Sequence, residues 1–299
     1  MSGNPRWLML ALLASAGCIE LGDIKITIVD DTAVDTGASA DPGPDTDTNV
    51  AEDTDDDTSA DTETPDTDST APPEREVPTT FTGPPLGDDV LIYQGDGALP
   101  VDSGEYLING VDALSELYSS LGGDVVITDT WPEDAGAYKL AFWYLPGSAK
   151  DAGYAIPEDT VDAILDWLGR GGRLVLAGDV NGSYMGYSLT QGNLTIDAFL
   201  TDVGADMRIE EAYTDSTICE GISDHALMQN GATVDSYMGN SLQIRGTASW
   251  LYCDGIAVQN VWCGEIVVSG DVNPVSDTPW LAPEFVQNLY NVPVESTCY

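Results

Sequence analysis

Between residues 90 and 177 short apolar runs alternate with helical patterns, a rhythm that few folds can satisfy. Val90-Leu91-Ile92-Tyr93 is short and continuously apolar, which predicts a buried strand. Val111 to Leu121 has helical periodicity and stops at Gly122-Gly123. Val125-Val126-Ile127 is the next strand, and Leu140 to Leu145 a third. Pro157 and Glu158 then open a helix that places Val161, Ile164, Leu165 and Leu168 on one face and closes at Gly169, Gly171 and Gly172. Arg173-Leu174-Val175-Leu176-Ala177 follows as a fourth strand, apolar throughout, as a central parallel strand must be. The alternation predicts an open, mostly parallel α/β sheet with helices on both faces and right-handed crossovers.

The second half is less regular and predicts a β-rich insertion. Ile196 to Val203 has a helical pattern, Met207 to Ala212 a strand pattern, and Ala232 to Val261 breaks into short strands joined by polar turns. Glu265-Ile266-Val267-Val268-Ser269 is another buried strand, and Pro283 to Tyr290 a closing helix.

Three strands are followed by polar turns of one kind: Gly95-Asp96-Gly97, Gly178-Asp179-Val180-Asn181 and Gly270-Asp271-Val272-Asn273. In an open parallel sheet these turns share the carboxyl edge, where ligands bind. Asp96, Asp179, Asn181, Asp271 and Asn273 are therefore the candidate cleft residues. The same residue types in the same places also serve as helix caps or turn formers that bond their own backbone.

The 299 residues carry 9 Lys and Arg against 51 Asp and Glu, a formal charge of -42, but the excess is not evenly spread. From about Asp30 to Thr82 the chain is dominated by Asp, Thr, Pro, Ser and Ala, too poor in apolar surface to offset the entropy of ordering. Charge repulsion and scattered prolines predict an extended acidic spacer over residues 19–82, leaving 83–299 for the folded domain. Loose calcium binding by the Asp runs is the alternative, but the ligand spacing and Gly turn of a calcium loop are missing. With no basic cluster, nucleic acid is not an expected partner.

At the N-terminus Arg6 precedes the apolar run Trp7 to Leu13, then Ala14-Ser15-Ala16-Gly17 and Cys18, the layout of a secretory signal over residues 1–18. Ala14-Ser15-Ala16 fits ordinary cleavage, whereas Ser15-Ala16-Gly17-Cys18 resembles a bacterial lipobox whose Cys18 is acylated and anchors the chain to a membrane. The expectation is an exported envelope protein, lipid-anchored at the outer surface or facing the periplasm. Export favours disulfides, so Cys219, Cys253, Cys263 and Cys298 form two bridges in one of three pairings. A zinc site is the alternative, although there is no Cys-x-x-Cys pair and His225 is the single histidine.

The run from Ala163 to Asp179, ending Trp167-Leu168-Gly169-Arg170-Gly171-Gly172-Arg173-Leu174-Val175-Leu176-Ala177-Gly178-Asp179, resembles the helix, glycine turn and central strand of class I glutamine-amidotransferase-like domains. It is most similar to their non-catalytic relatives in bacterial surface and trehalose-utilisation-like proteins. Ser223-Asp224-His225-Ala226-Leu227 resembles the Asp-His-Pro-Leu segment of those relatives, and Gly264 to Asp271 with Asn288-Leu289-Tyr290 their last strand and closing helix. The resemblance implies a flavodoxin-like sheet and a Gly-x-Cys-x-Gly nucleophile turn at Gly178-Asp179-Val180-Asn181-Gly182. Val180 stands where the thiolate belongs, and Leu227 stands two residues after His225 where an orienting Glu belongs, so the family's chemistry is not expected. Ser183 is off by one residue from a serine elbow, no phosphate-cradling Gly-Lys loop occurs, and His225 is expected as a turn residue held by Asp224.

Three functions remain as expectations. The first is a non-enzymatic surface module that binds a glycan or an envelope partner through the carboxyl edge, with Tyr184, Tyr187, Trp250, Tyr252, Trp262 and Trp280 as stacking candidates. The second is a hydrolase in which Asp96, Asp179 and Asp271 work as carboxylates or hold a divalent metal. The third is a purely structural envelope component. No resident cofactor is expected outside the metal alternative.

Overall fold

The computed structural model describes residues 76–299, apart from 102–104, 150–154, 216–222, 235–237, 277–280, 297 and 299. Cys18, Cys219 and Trp280 therefore lie outside the described residues, as does nearly all of the acidic run.

Seven strands form the central sheet: β1 (Asp89–Tyr93), β2 (Val125–Thr128), β3 (Tyr138–Tyr144), β4 (Arg173–Ala177), β9 (Ser249–Tyr252), β10 (Ile256–Val261) and β11 (Gly264–Ser269). Their order is β2-β1-β3-β4-β11-β10-β9. The first five run parallel, in the doubly wound order of a flavodoxin-like domain, and β10 and β9 extend the sheet antiparallel. The β-rich insertion adds two small antiparallel pairs, β5 (Ser183–Tyr184) with β6 (Tyr187–Ser188) and β7 (Met207–Asp215) with β8 (Met238–Ile244).

Alternation along the strands divides the core into two apolar layers. Val90, Ile92, Leu140, Phe142, Val175 and Val267 face one way, onto α1 (Glu105–Leu121), α4 (Asn273–Ser276) and α5 (Pro283–Asn291). Leu91, Ala141, Trp143, Leu174, Leu176 and Val268 face the other, onto α2 (Glu158–Leu168), α3 (Leu189–Asp202) and the β7–β8 pair. Both faces of β4 and β11 are dry, which is why their sequences are nearly continuously apolar, whereas β2 is a half-exposed edge strand.

Helix α3 begins seven residues before the predicted Ile196, because Ser188 caps it with a hydrogen bond from Gln191 N–H at 3.1 Å. At the amino edge of the sheet, neighbouring Arg173 and Glu265 form a buried bidentate pair at 2.9 and 3.2 Å. Arg173 Nη1 also donates to the carbonyls of Leu289 and of Val292, the latter at 2.9 Å, tying the end of α5 to β4.

The chain joins the domain at this same edge. Thr82 N–H donates to Gly169 O at 3.0 Å, ahead of β4, and Gly87 N–H to Gly136 O at 2.7 Å, ahead of β3. A Cys263–Cys298 disulfide staples the C-terminal tail to the turn that opens β11, with the Pro78 carbonyl 3.5 Å from Cys298 Sγ. Cys253 is disulfide-bonded as well.

Candidate functional site

The three strand-end turns do lie at the carboxyl edge, but they make separate structures. After β1, Asp96 adopts a left-handed φ of 53° and its carboxylate accepts the Tyr93 hydroxyl proton at 2.6 Å. Burial and the Asp96 side chain both push the Tyr93 phenol up, so the phenol keeps its proton and is the donor.

After β11, Asp271 has no exposed surface. Its Oδ2 accepts Met238 N–H at 2.6 Å and its Oδ1 accepts Asn273 N–H at 3.0 Å, so one carboxylate fastens the start of β8 and shapes the turn into α4. Desolvation pushes its carboxyl up to about 6, against the pull of the two N–H donors. Asn273, half-buried, contributes its backbone here.

After β4 the arrangement is different. Two buried amides, Asn193 from α3 and Asn240 from β8, converge on the turn. Asn193 Nδ2 donates to Asp179 O at 2.7 Å and to Asn181 Oδ1 at 3.1 Å. Asn240 Nδ2 donates to the same two oxygens at 3.0 and 3.3 Å. Asp179 N–H returns a bond to Asn193 Oδ1 at 3.1 Å, and the Asp179 carboxylate accepts Val180 N–H at 2.7 Å. Close approach requires glycine at two points. A Cβ on Gly178 would stand 2.5 Å from Asn193 Oδ1, and one on Gly239 would stand 2.2 Å from Gly270 O.

Asp179, Asn181 and, through β8, Asp271 are thus brought into one bonded region, while Asp96 keeps company with Tyr93. Among the described residues no group of three His, Cys, Asp or Glu side chains is placed to hold a metal ion. The structure uses Asp179 and Asp271 as backbone acceptors, the turn-forming role that their positions also predicted. Val180 is not among the described residues with positive φ, so the turn lacks the strained conformation of a nucleophile elbow. His225 caps a short 3-10 turn by accepting Leu227 N–H on Nδ1 at 3.2 Å. The backbone N–H of His225 donates to Ser223 Oγ at 3.1 Å, so the turn is fixed through Ser223, the residue two before it.

The rim around Asn181 is apolar and acidic. A shallow depression of about 20 Å³ is lined by Asn181, Leu194, Asp197, Glu210 and Glu211 among others. Burial also pushes Asp197 up to about 6. Tyr184 and Met185, on the hairpin that follows Asn181, are exposed, as are Leu194 on α3 and Met238 at the start of β8. Of the six aromatics predicted for stacking, Tyr184 is exposed, Tyr187, Trp250 and Trp262 are half-buried, and Tyr252 is buried. Asn193 and Asn240 escaped the sequence reading. The one available signal was a polar residue on the otherwise apolar face of a helix.

No family model matches the chain, and no curated protein matches it. Among solved structures it is similar to the mmIFT52 N-terminal domain at 11% identity, covering 67% of this chain and 95% of that one, with a TM-score of 0.48. A cytoplasmic protein from Salmonella typhimurium LT2 is similar at 15% identity, with 69% and 99% coverage and a TM-score of 0.46. A ThuA-like protein from Bacteroides uniformis ATCC 8492 is similar at 10% identity, with 72% and 94% coverage and a TM-score of 0.41.

Proposed function

We propose that this chain is an exported, lipid-anchored envelope protein whose domain, a non-catalytic relative of class I glutamine amidotransferases, docks a partner protein through its carboxyl edge. The observation that supports this most is the surface around Asn181. Tyr184, Met185, Leu194 and Met238 are four of the seven large apolar side chains exposed among the described residues, and they lie on the hairpin that follows Asn181, on α3 and on β8, the two elements whose amides bond Asn181. Exposed apolar side chains grouped in this way mark interaction sites, and aromatics and methionine are favoured at interface centres.

The amide network supports the docking role. It fixes Asn181 Oδ1 twice over, which leaves the Asn181 amide nitrogen as a rigidly held donor on an exposed residue. Asp197, Glu210 and Glu211 beside it favour a partner with basic groups facing them.

The test is photocrosslinking in cells from a benzophenone side chain at position 185, compared with the same probe at Ile127 on the edge strand β2. A discrete adduct from 185 that is absent from 127 and weakened by Tyr184→Ala supports the reading. Equal labelling from both positions sinks it, and adducts with glycan alone would move the partner from protein to sugar.

A further inference from the structure

Helix α5 carries a second surface that the carboxyl edge does not include. Glu284, Gln287, Asn288 and Asn291 recur at helical spacing along one face, while Phe285, Val286, Leu289 and Tyr290 fill the core from the other. The polar face is one wall of a groove of about 380 Å³, and Asn230 with the Val292-Pro293 segment supplies the others. The volume falls within the range of small-ligand sites.

The groove is held in shape before any ligand arrives. Asn288, 6% exposed, donates both amide protons across it, to Leu227 O at 3.0 Å and Gln229 O at 2.8 Å, locking the loop of Asn230 onto the helix. Asn230 itself turns that loop with a φ of 62°, next to Gly231 at 82°. The far end is fixed where Arg173 Nη1 binds Val292 O. Both walls are therefore preorganised, which lowers the ordering cost of binding.

The lining states what it accepts. No Lys, Arg or His lines the groove and Glu284 does, which disfavours anions. Amide side chains donate and accept side by side, the requirement for pairing with hydroxyl groups that also do both. We infer that this groove is a binding site for a neutral glycan, taken as a short run of sugar rings along the Glu284, Gln287 and Asn291 face. The groove shares no lining residue with the depression beside Asn181 on the partner face.

Isothermal titration of the full oxidised chain with maltotriose and with chitotriose tests it. At least one of these neutral trisaccharides is expected to bind with a Kd under about 10 mM, and the Gln287→Ala, Asn291→Ala chain to bind it at least roughly tenfold more weakly. The thermal midpoint of that variant should match the native chain. Failure of both sugars to bind at about 10 mM, or binding that survives intact in the variant, overturns the inference. Crosslinking from position 185 in the same variant reads the carboxyl edge separately, so loss at one site is distinguishable from loss at the other.

Discussion

Asp271 is a carboxylic acid with no exposed surface whose two oxygens each serve a backbone N–H, and its protonation midpoint is lifted from 3.8 to about 6. Between those values the folded chain binds a proton that the unfolded chain has released. Its contribution to stability is therefore greatest below about pH 4 and falls as pH rises through 6, by about 3 kcal/mol from the size of the displacement. Asp197, lifted the same way, adds to the slope with the same sign. We predict that the domain is more stable to urea at pH 5 than at pH 7, and that Asp271→Asn flattens part of that dependence. An unchanged slope in the variant would show that Asp271 titrates as it does in water. At this scale the sequence singled out Asp179 and Asp271 but could not show that their oxygens are spent on backbone. It also hid Asn193 and Asn240, because the amides that organise the turn lie 14 and 61 residues from Asp179.

Elements were more legible than residues. β4 and β11 announce themselves as apolar runs because both faces are buried, and the glycine turn before β4 follows from the tight return of α2. The start of α3 was missed for a local reason: Ser188, Gln191 and Gly192 look like loop until the cap bond is seen. What binds elements together is the Arg173–Glu265 pair, invisible in sequence because its partners are 92 residues apart. Removing one buried partner leaves the other charge uncompensated. Arg173→Met should therefore cost about 3–5 kcal/mol in denaturant unfolding. Adding Glu265→Leu to it should recover most of that loss. A double variant no better than the single one would mean that the bonds from Arg173 to the end of α5, and not the charge pair, carry the stability.

For the whole molecule, the mostly parallel sheet with helices on both faces follows from the alternation of patterns, and the short polar-turned strands from Ala232 to Val261 point to antiparallel additions, but the order of the strands does not follow, since short strands leave their neighbours undetermined. The proposed anchor is tested at this scale: Cys18→Ser should abolish incorporation of labelled fatty acid and release the chain from washed membranes. Retention of label in that variant would place the modification elsewhere.

The chain joins its domain at the amino edge, beside the Cys263–Cys298 staple, while the proposed partner face lies at the opposite end of the strands. A pull between the proposed tether and the proposed partner would thus enter through β1, the first strand after that joint, and run lengthwise along the parallel strands rather than across them. Parallel strands loaded lengthwise must break their ladder bonds together, whereas strands peeled from an edge break them one at a time. The staple meanwhile pins the C-terminal tail to the turn that opens β11, at the end of the strands where the chain enters.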